Sequence, residues 1–203
     1  MRILPLVFAV TIVSATQAQT PRFAPGEVMA RFAQGTEASA AVARAMQADP
    51  QDLRALTPAI TALGARAGVP LHATRIGSGN WVILAIDSVA LTDRVQGQLG
   101  ARENVEGITR RDEAPRLLLR FTAGSAESRA TTQKLEGAAD EPLERLVWSL
   151  EREVGLPLKA DVVNRHELAL GIDIKALTLS LVARLQALPE IDAAQPNYIL
   201  RRM

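Results

Sequence analysis

The sequence predicts an α+β protein in which one strand, helix, strand, strand, helix, strand unit occurs twice. Two segments of the chain align from end to end with small gaps, and their apolar residues recur at strand or helix spacing. The matching pairs are Arg31-Phe32 with Arg120-Phe121, Gly68-Val69-Pro70-Leu71 with Gly155-Leu156-Pro157-Leu158, Ile86-Asp87 with Ile172-Asp173, and Val105-Glu106 with Ile191-Asp192. A duplicated domain explains this pattern.

Each copy contains four predicted strands. The opening strand alternates Val28, Ala30 and Phe32 with more polar residues, which is typical of a strand with one buried face. The middle two strands form a hairpin, because a turn segment such as Gly77 to Asn80 separates them. The predicted strands are Gly26 to Phe32, Leu71 to Ile76, Trp81 to Ile86 and Val105 to Arg111, then Arg116 to Phe121, Leu158 to Val163, Leu168 to Ile172 and Ile191 to Tyr198.

Two helices per copy complete the unit. The clearest is Pro142 to Val154, whose leucines and valines follow one helical stripe and whose start Asp140 can cap. In the first copy, Pro50 and Pro58 should divide the corresponding region into shorter pieces, preceded by a helical turn or two within Thr36 to Ala48. The second helices follow Asp87 and Asp173 as caps and carry leucine or valine at four-residue steps. Those apolar positions are Leu91, Val95 and Leu99, and Leu177, Leu181 and Leu185.

This element order predicts two ferredoxin-like units, each an antiparallel four-stranded sheet with its helices on one face. The first domain spans residues 19–112 and the second 115–203, with Asp112 to Pro115 as the junction. We expect each sequence copy to form its own sheet.

Residues 1–18 are predicted to be a signal peptide. Arg2 precedes an apolar run from Ile3 to Val13, and Thr16-Gln17-Ala18 supplies small residues before a mature start near Gln19. The chain is therefore expected in the periplasm or outside the cell, with an uncleaved anchor as the alternative. It has no cysteine, so its stability must come from packed cores instead of disulfides.

The sequence contains no recognisable catalytic or cofactor chemistry. The two histidines, His72 and His166, lie in different copies and lack metal-ligand spacing, and no serine lies in a catalytic motif. A net charge of +1 and 3% aromatic residues do not favour nucleic-acid binding. Trp81 and Trp148 are expected in the core, with a role as exposed partner anchors as the alternative. We expect a protein that is not an enzyme and binds no cofactor or metal.

Two local motifs resemble the propeptides of subtilisin-like proteases, the peptidase inhibitor I9 family. The segment PGEVMARF, Pro25 to Phe32, resembles their opening strand, and LPEIDAAQPNY, Leu188 to Tyr198, resembles their closing strand. The resemblance implies a non-catalytic inhibitor or folding chaperone of a subtilisin-like serine protease. In this family the propeptide sheet packs on two protease helices, and the C-terminal tail lies in the active-site cleft like a product.

The resemblance also assigns the protease-binding residues to the C-terminal tail, with Met203 beside the catalytic serine and Leu200 in an apolar pocket. The second copy is expected to carry this contact and the first to be a support or a relic. Alternatives are a frayed terminus, a structural ferredoxin-like module with no protease target, and a remnant of a protease precursor. The predicted protease-binding residues are Tyr198, Ile199, Leu200, Arg201, Arg202 and Met203.

Overall fold

A computed structural model describes residues 22–48, 53–111 and 116–199. The predicted signal peptide, the junction at 112–115 and the tail residues Leu200 to Met203 lie outside these ranges. The described elements are β1 (Phe23–Phe32), α1 (Glu37–Ala48), α2 (Thr57–Ala67), β2 (Leu71–Ile76), β3 (Val82–Ile86), α3 (Ser88–Gly100), β4 (Val105–Arg111), β5 (Arg116–Phe121), α4 (Ala126–Leu135), α5 (Glu141–Val154), β6 (Leu158–Asn164), β7 (Glu167–Ile172), α6 (Ile174–Gln186) and β8 (Ile191–Tyr198).

The strands form two four-stranded antiparallel sheets. Sheet A has the order β2, β3, β1, β8, and sheet B has the order β4, β5, β7, β6. This confirms the predicted α+β class with two ferredoxin-like units.

The last strand of each sequence copy, however, completes the sheet of the other copy. β8 pairs with β1, and β4 pairs with β5. The expectation that each copy forms its own sheet is corrected accordingly. The reason lies in the connection between β4 and β5: Arg111 and Arg116 are paired, and only four residues separate them. Antiparallel strands joined by so short a connection favour a hairpin. Because β4 then pairs with β5, it does not pair with β1, and the edge of β1 is free to pair with β8.

The helices are exchanged together with the strands. α6 packs against β1, β8 and α2, whereas α3 packs against β4, β5 and α5. Sheet A therefore combines β1 to β3 with the C-terminal α6 and β8, and the sheet B unit is inserted between β3 and α6. The leucines predicted on α3 and α6 are fully buried, as are Leu56, Ile60 and Leu63.

Helix starts follow the predicted caps at two of three positions. The Asp87 carboxylate accepts hydrogen bonds from the amides of Val89 and Ala90, and the Asp173 carboxylate accepts one from Ala176. The Asp140 prediction is wrong, because its carboxylate pairs with Lys134 at 2.6 Å instead of the helix amides. Both histidines are exposed.

α4 was not predicted from the sequence, and α1 is longer than predicted. α4 begins after Ser125, whose hydroxyl accepts a hydrogen bond from the Ser128 amide at 3.1 Å. α1 spans 12 residues, where a turn or two was expected. The two helices occupy equivalent places in the repeat, each following a glycine with positive φ, Gly35 or Gly124. α4 has few apolar residues, so its sequence does not show the helical periodicity that would reveal this correspondence.

Candidate functional site

The two predicted family motifs meet in sheet A as adjacent antiparallel strands. β1 carries the opening motif and β8 the closing motif, with Val28 opposite Pro196 and Met29 opposite Gln195. The Asn197 side-chain amide donates a hydrogen bond to the Glu27 carboxylate at 2.6 Å. The motifs come from different copies of the sequence, and the exchange of β8 is what brings them together.

β1 reaches β8 through a bulge at Gly26. The pairing shifts between Phe23 and Val28, and Gly26 has a φ of +87°, a conformation that glycine adopts without a steric penalty. Its amide donates a hydrogen bond to the Thr178 hydroxyl of α6 at 2.8 Å. Pro25-Gly26 of the opening motif therefore connects β1 to α6, the helix that the second copy contributes.

The predicted tail begins at the end of β8. Tyr198 is the last residue of the strand and lies opposite Phe23. The Ile199 amide donates a hydrogen bond to the Arg22 carbonyl at 2.9 Å, while the residue is 57% exposed. Tyr198 is 42% exposed. The remaining predicted protease-binding residues, Leu200, Arg201, Arg202 and Met203, lie outside the described residues.

One face of sheet A points away from α2 and α6, and we call it the open face. Val28, Ala30 and Phe32 point into the core, so the alternating side chains of β1 belong to the opposite face. Ile83 is opposite Met29 and lies outside the core cluster. The open face comprises Glu27, Met29, Arg31, Ile83, Ala85, Ala193, Gln195 and Asn197.

Polar and charged groups frame an apolar centre on the open face. Arg31 pairs with Asp192 at 2.6 Å and also stacks on Trp81, with 5.3 Å from its guanidinium carbon to the ring centroid. At the other end lies the hydrogen bond between Glu27 and Asn197. Between them lie Met29 and Ile83, of which Ile83 is only 4% exposed, and Ala85 lies beside Glu27. An apolar centre with a polar rim is the anatomy of a protein interface.

Sheet B has a face that corresponds to the open face of sheet A. Leu118, the repeat equivalent of Met29, lies between Thr109 and Ala169. On either side of it, Arg120 pairs with Glu167 at 2.7 Å and Arg116 pairs with Asp161 at 3.7 Å. Charged residues therefore flank Leu118 as they flank Met29, and sheet B, which lacks both family-like motifs, supplies a matched control surface.

The contribution of the first copy to this site was not predicted from the sequence. Met29, Ile83 and Ala85 all come from strands of the first copy. The available signal was the length of the junction: four residues between two strands predict a hairpin, which forces β8 onto β1. The alternation of Met29 with core residues would then have identified the face.

Comparison with known proteins adds no relative: no protein-family model, no curated protein and no solved structure matches this chain. Within the described residues, no helix is long and apolar enough to cross a membrane. The same residues include no group of three or more histidine, aspartate or glutamate side chains placed to hold a metal ion.

Proposed function

We propose that this chain is an exported, non-catalytic inhibitor or folding chaperone of a subtilisin-like serine protease. The open face of sheet A would pack on the protease surface, and the segment after Tyr198 would enter the active-site cleft. The observation that carries the proposal is the meeting of the two family-like motifs on neighbouring strands. A single sheet then presents both the docking face and the start of the tail.

The geometry around Ile199 supports a role for the tail. The hydrogen bond from the Ile199 amide to the Arg22 carbonyl extends the pairing of β8 with β1 by one residue. An extended backbone that leaves a sheet in this way can add to an edge strand of a protease, while alternate side chains enter its pockets. Tyr198 and Ile199 are both exposed and available for such contacts.

The proposal gives the first copy an active part. Three of the four strands of the docking sheet belong to it, and the second copy contributes α6, β8 and the tail. The sheet B unit would then be an inserted domain that does not contact the protease through the corresponding face of its sheet.

An inhibition assay against a panel of subtilisin-type proteases tests the proposal. The full chain is expected to inhibit at least one of them with a one-to-one end point, and a chain ending at Ile199 is expected to inhibit it at least tenfold more weakly. This truncation keeps the described hydrogen bond of Ile199, so the circular dichroism spectrum should not change. A chymotrypsin-like protease is the specificity control. No inhibition across the panel would favour a structural module instead.

A further inference from the structure

A groove on the helical side of the molecule lies between α5 and α6. It is a shallow depression open to solvent with a volume of about 400 Å³, and Trp148, Arg152, Pro157, Ala176, Ser180 and Arg184 contribute to its lining. We call it the Trp148 groove. Since α6 covers the helical face of sheet A, the groove is separate from the open face.

The indole of Trp148 is the main apolar element of the groove. Trp148 is 58% exposed, although sequence analysis placed it in the core, and that expectation is wrong. The Arg152 guanidinium stacks on the ring, with its carbon 4.7 Å from the centroid. An exposed tryptophan with an arginine stacked on it is the type of residue pair that dominates binding energy in protein interfaces.

The charge of the groove is positive. Arg184 is fixed between two helix ends, donating hydrogen bonds to the carbonyls of Ala67 at 3.1 Å and Gly155 at 3.4 Å. Arg152 has no carboxylate partner within the described residues. Glu151 is the acidic residue that lines the groove, and its carboxylate already accepts the Leu158 amide hydrogen bond at 2.8 Å.

The repeat shows that the fold does not require these side chains. In the first copy, α2 ends at Gly68 as α5 ends at Gly155, and both glycines have the left-handed conformation. When the two helices are aligned on these glycines, Thr61 corresponds to Trp148 and Ala65 to Arg152. The indole and the guanidinium are therefore specific to the second copy.

We propose that the Trp148 groove binds an acidic peptide segment of a partner protein. An apolar side chain of the segment packs on the Trp148 ring, and its carboxylates face Arg152 and Arg184. Charge complementarity selects this partner, because the two guanidinium groups of the groove outnumber its single carboxylate, that of Glu151. This inference is independent of the protease proposal and allows both partners to bind at once.

Fluorescence anisotropy with labelled synthetic peptides tests this inference. The probe is a fluorescein-labelled hexapeptide of alternating glutamate and leucine, and the controls replace glutamate by lysine or leucine by serine. Saturable binding is expected for the glutamate-leucine peptide alone, weakening when salt rises from about 0.05 M to about 0.5 M, since salt screens exposed charges.

Substitutions in the groove separate the two contributions. Trp148→Ala is expected to weaken binding by about tenfold, as for an interface anchor, and Arg152→Gln by about threefold. Thermal melts check that both variants fold, and Thr61→Ala is the matched control in the first copy. Equal binding of the lysine-leucine peptide, no saturable binding, or wild-type affinity in Trp148→Ala would overturn the inference. Protease inhibition should be unchanged in Trp148→Ala, so this test and that of the proposed function fail independently.

Discussion

A cysteine pair at positions 29 and 195 is expected to form an intramolecular disulfide that tests the exchange of β8. Met29 and Gln195 are directly opposite on β1 and β8. Directly opposite residues in antiparallel strands have Cα atoms about 4.5 to 5.5 Å apart, within the range that a disulfide bridges. The chain contains no cysteine, so the engineered pair has no competing thiol.

The separation of the two positions sets the size of the effect. They lie 166 residues apart, and closing a loop of that length stabilises the folded state by about 5 kcal/mol in the chain-entropy model. A second pair, Thr109→Cys with Leu118→Cys, joins β4 to β5 across a short hairpin. The same model gives about 2.5 kcal/mol for this shorter loop.

Denaturant unfolding with and without reductant measures the stabilisation by each disulfide. Peptide mapping identifies which cysteines are bonded. The decisive control is Met29→Cys with Thr109→Cys, the pair that would be adjacent if each copy formed its own sheet. We expect no intramolecular bond in that variant. Efficient formation of the 29–109 bond, with none between 29 and 195, would refute the exchanged topology.

Three substitutions test local features of the fold by denaturant unfolding. Gly64→Ala is expected to cost about 1 to 3 kcal/mol through overpacking, because its Cβ would lie 2.7 Å from the Val69 carbonyl oxygen; wild-type stability would contradict this close approach. Asp173→Ala is expected to cost about 1 kcal/mol at neutral pH through loss of the cap. The Ala176 amide and the Lys159 ammonium hold the pKa of Asp173 below its usual 3.8, so this difference should shrink as pH falls below that value, and a difference that grows in acid would be inconsistent. Arg102→Ala is expected to cost about 3 kcal/mol or more, because it leaves the buried Glu127 carboxylate without its ion pair; a cost below that of Asp173→Ala would refute this.

The pKa of Glu127 shows how that ion pair contributes. Burial raises this pKa, but hydrogen bonds from its own backbone amide, Arg102 and Asn104, together with the Arg102 charge, outweigh burial and hold it below the usual 4.5. The stabilisation is therefore present above pH 4.5 and is lost as pH falls through the lower, folded-state pKa.

Local patterns in the sequence were sufficient to predict most elements of the fold. The bounds of β2, β4, β5 and β8 agree with the predicted ranges, because alternation and turn residues determine strands locally. The caps of α3 and α6 were predicted for the same reason. α4 was missed because its exposed face carries few apolar residues and leaves a weak periodic signal.

Strand partners and surfaces were harder to predict because they depend on the whole chain. β8 is equally compatible with the edge of β1 or β5 by sequence pattern, and the length of the junction decides between them. The exposure of Trp148 likewise depends on how α5 and α6 meet. The tail assignment from Leu200 to Met203 comes from the resemblance and remains a prediction.

The most direct test of the proposed function compares two matched charge substitutions in the same inhibition assay. Met29→Lys places a cation at the apolar centre of the open face of sheet A, and Leu118→Lys does the same at the equivalent position of sheet B. Against a protease that the wild-type chain inhibits, Met29→Lys is expected to raise the inhibition constant by about tenfold or more, as for a change at an interface centre, while Leu118→Lys leaves it unchanged. Equal effects of the two substitutions, or an effect of Leu118→Lys alone, would contradict docking through sheet A.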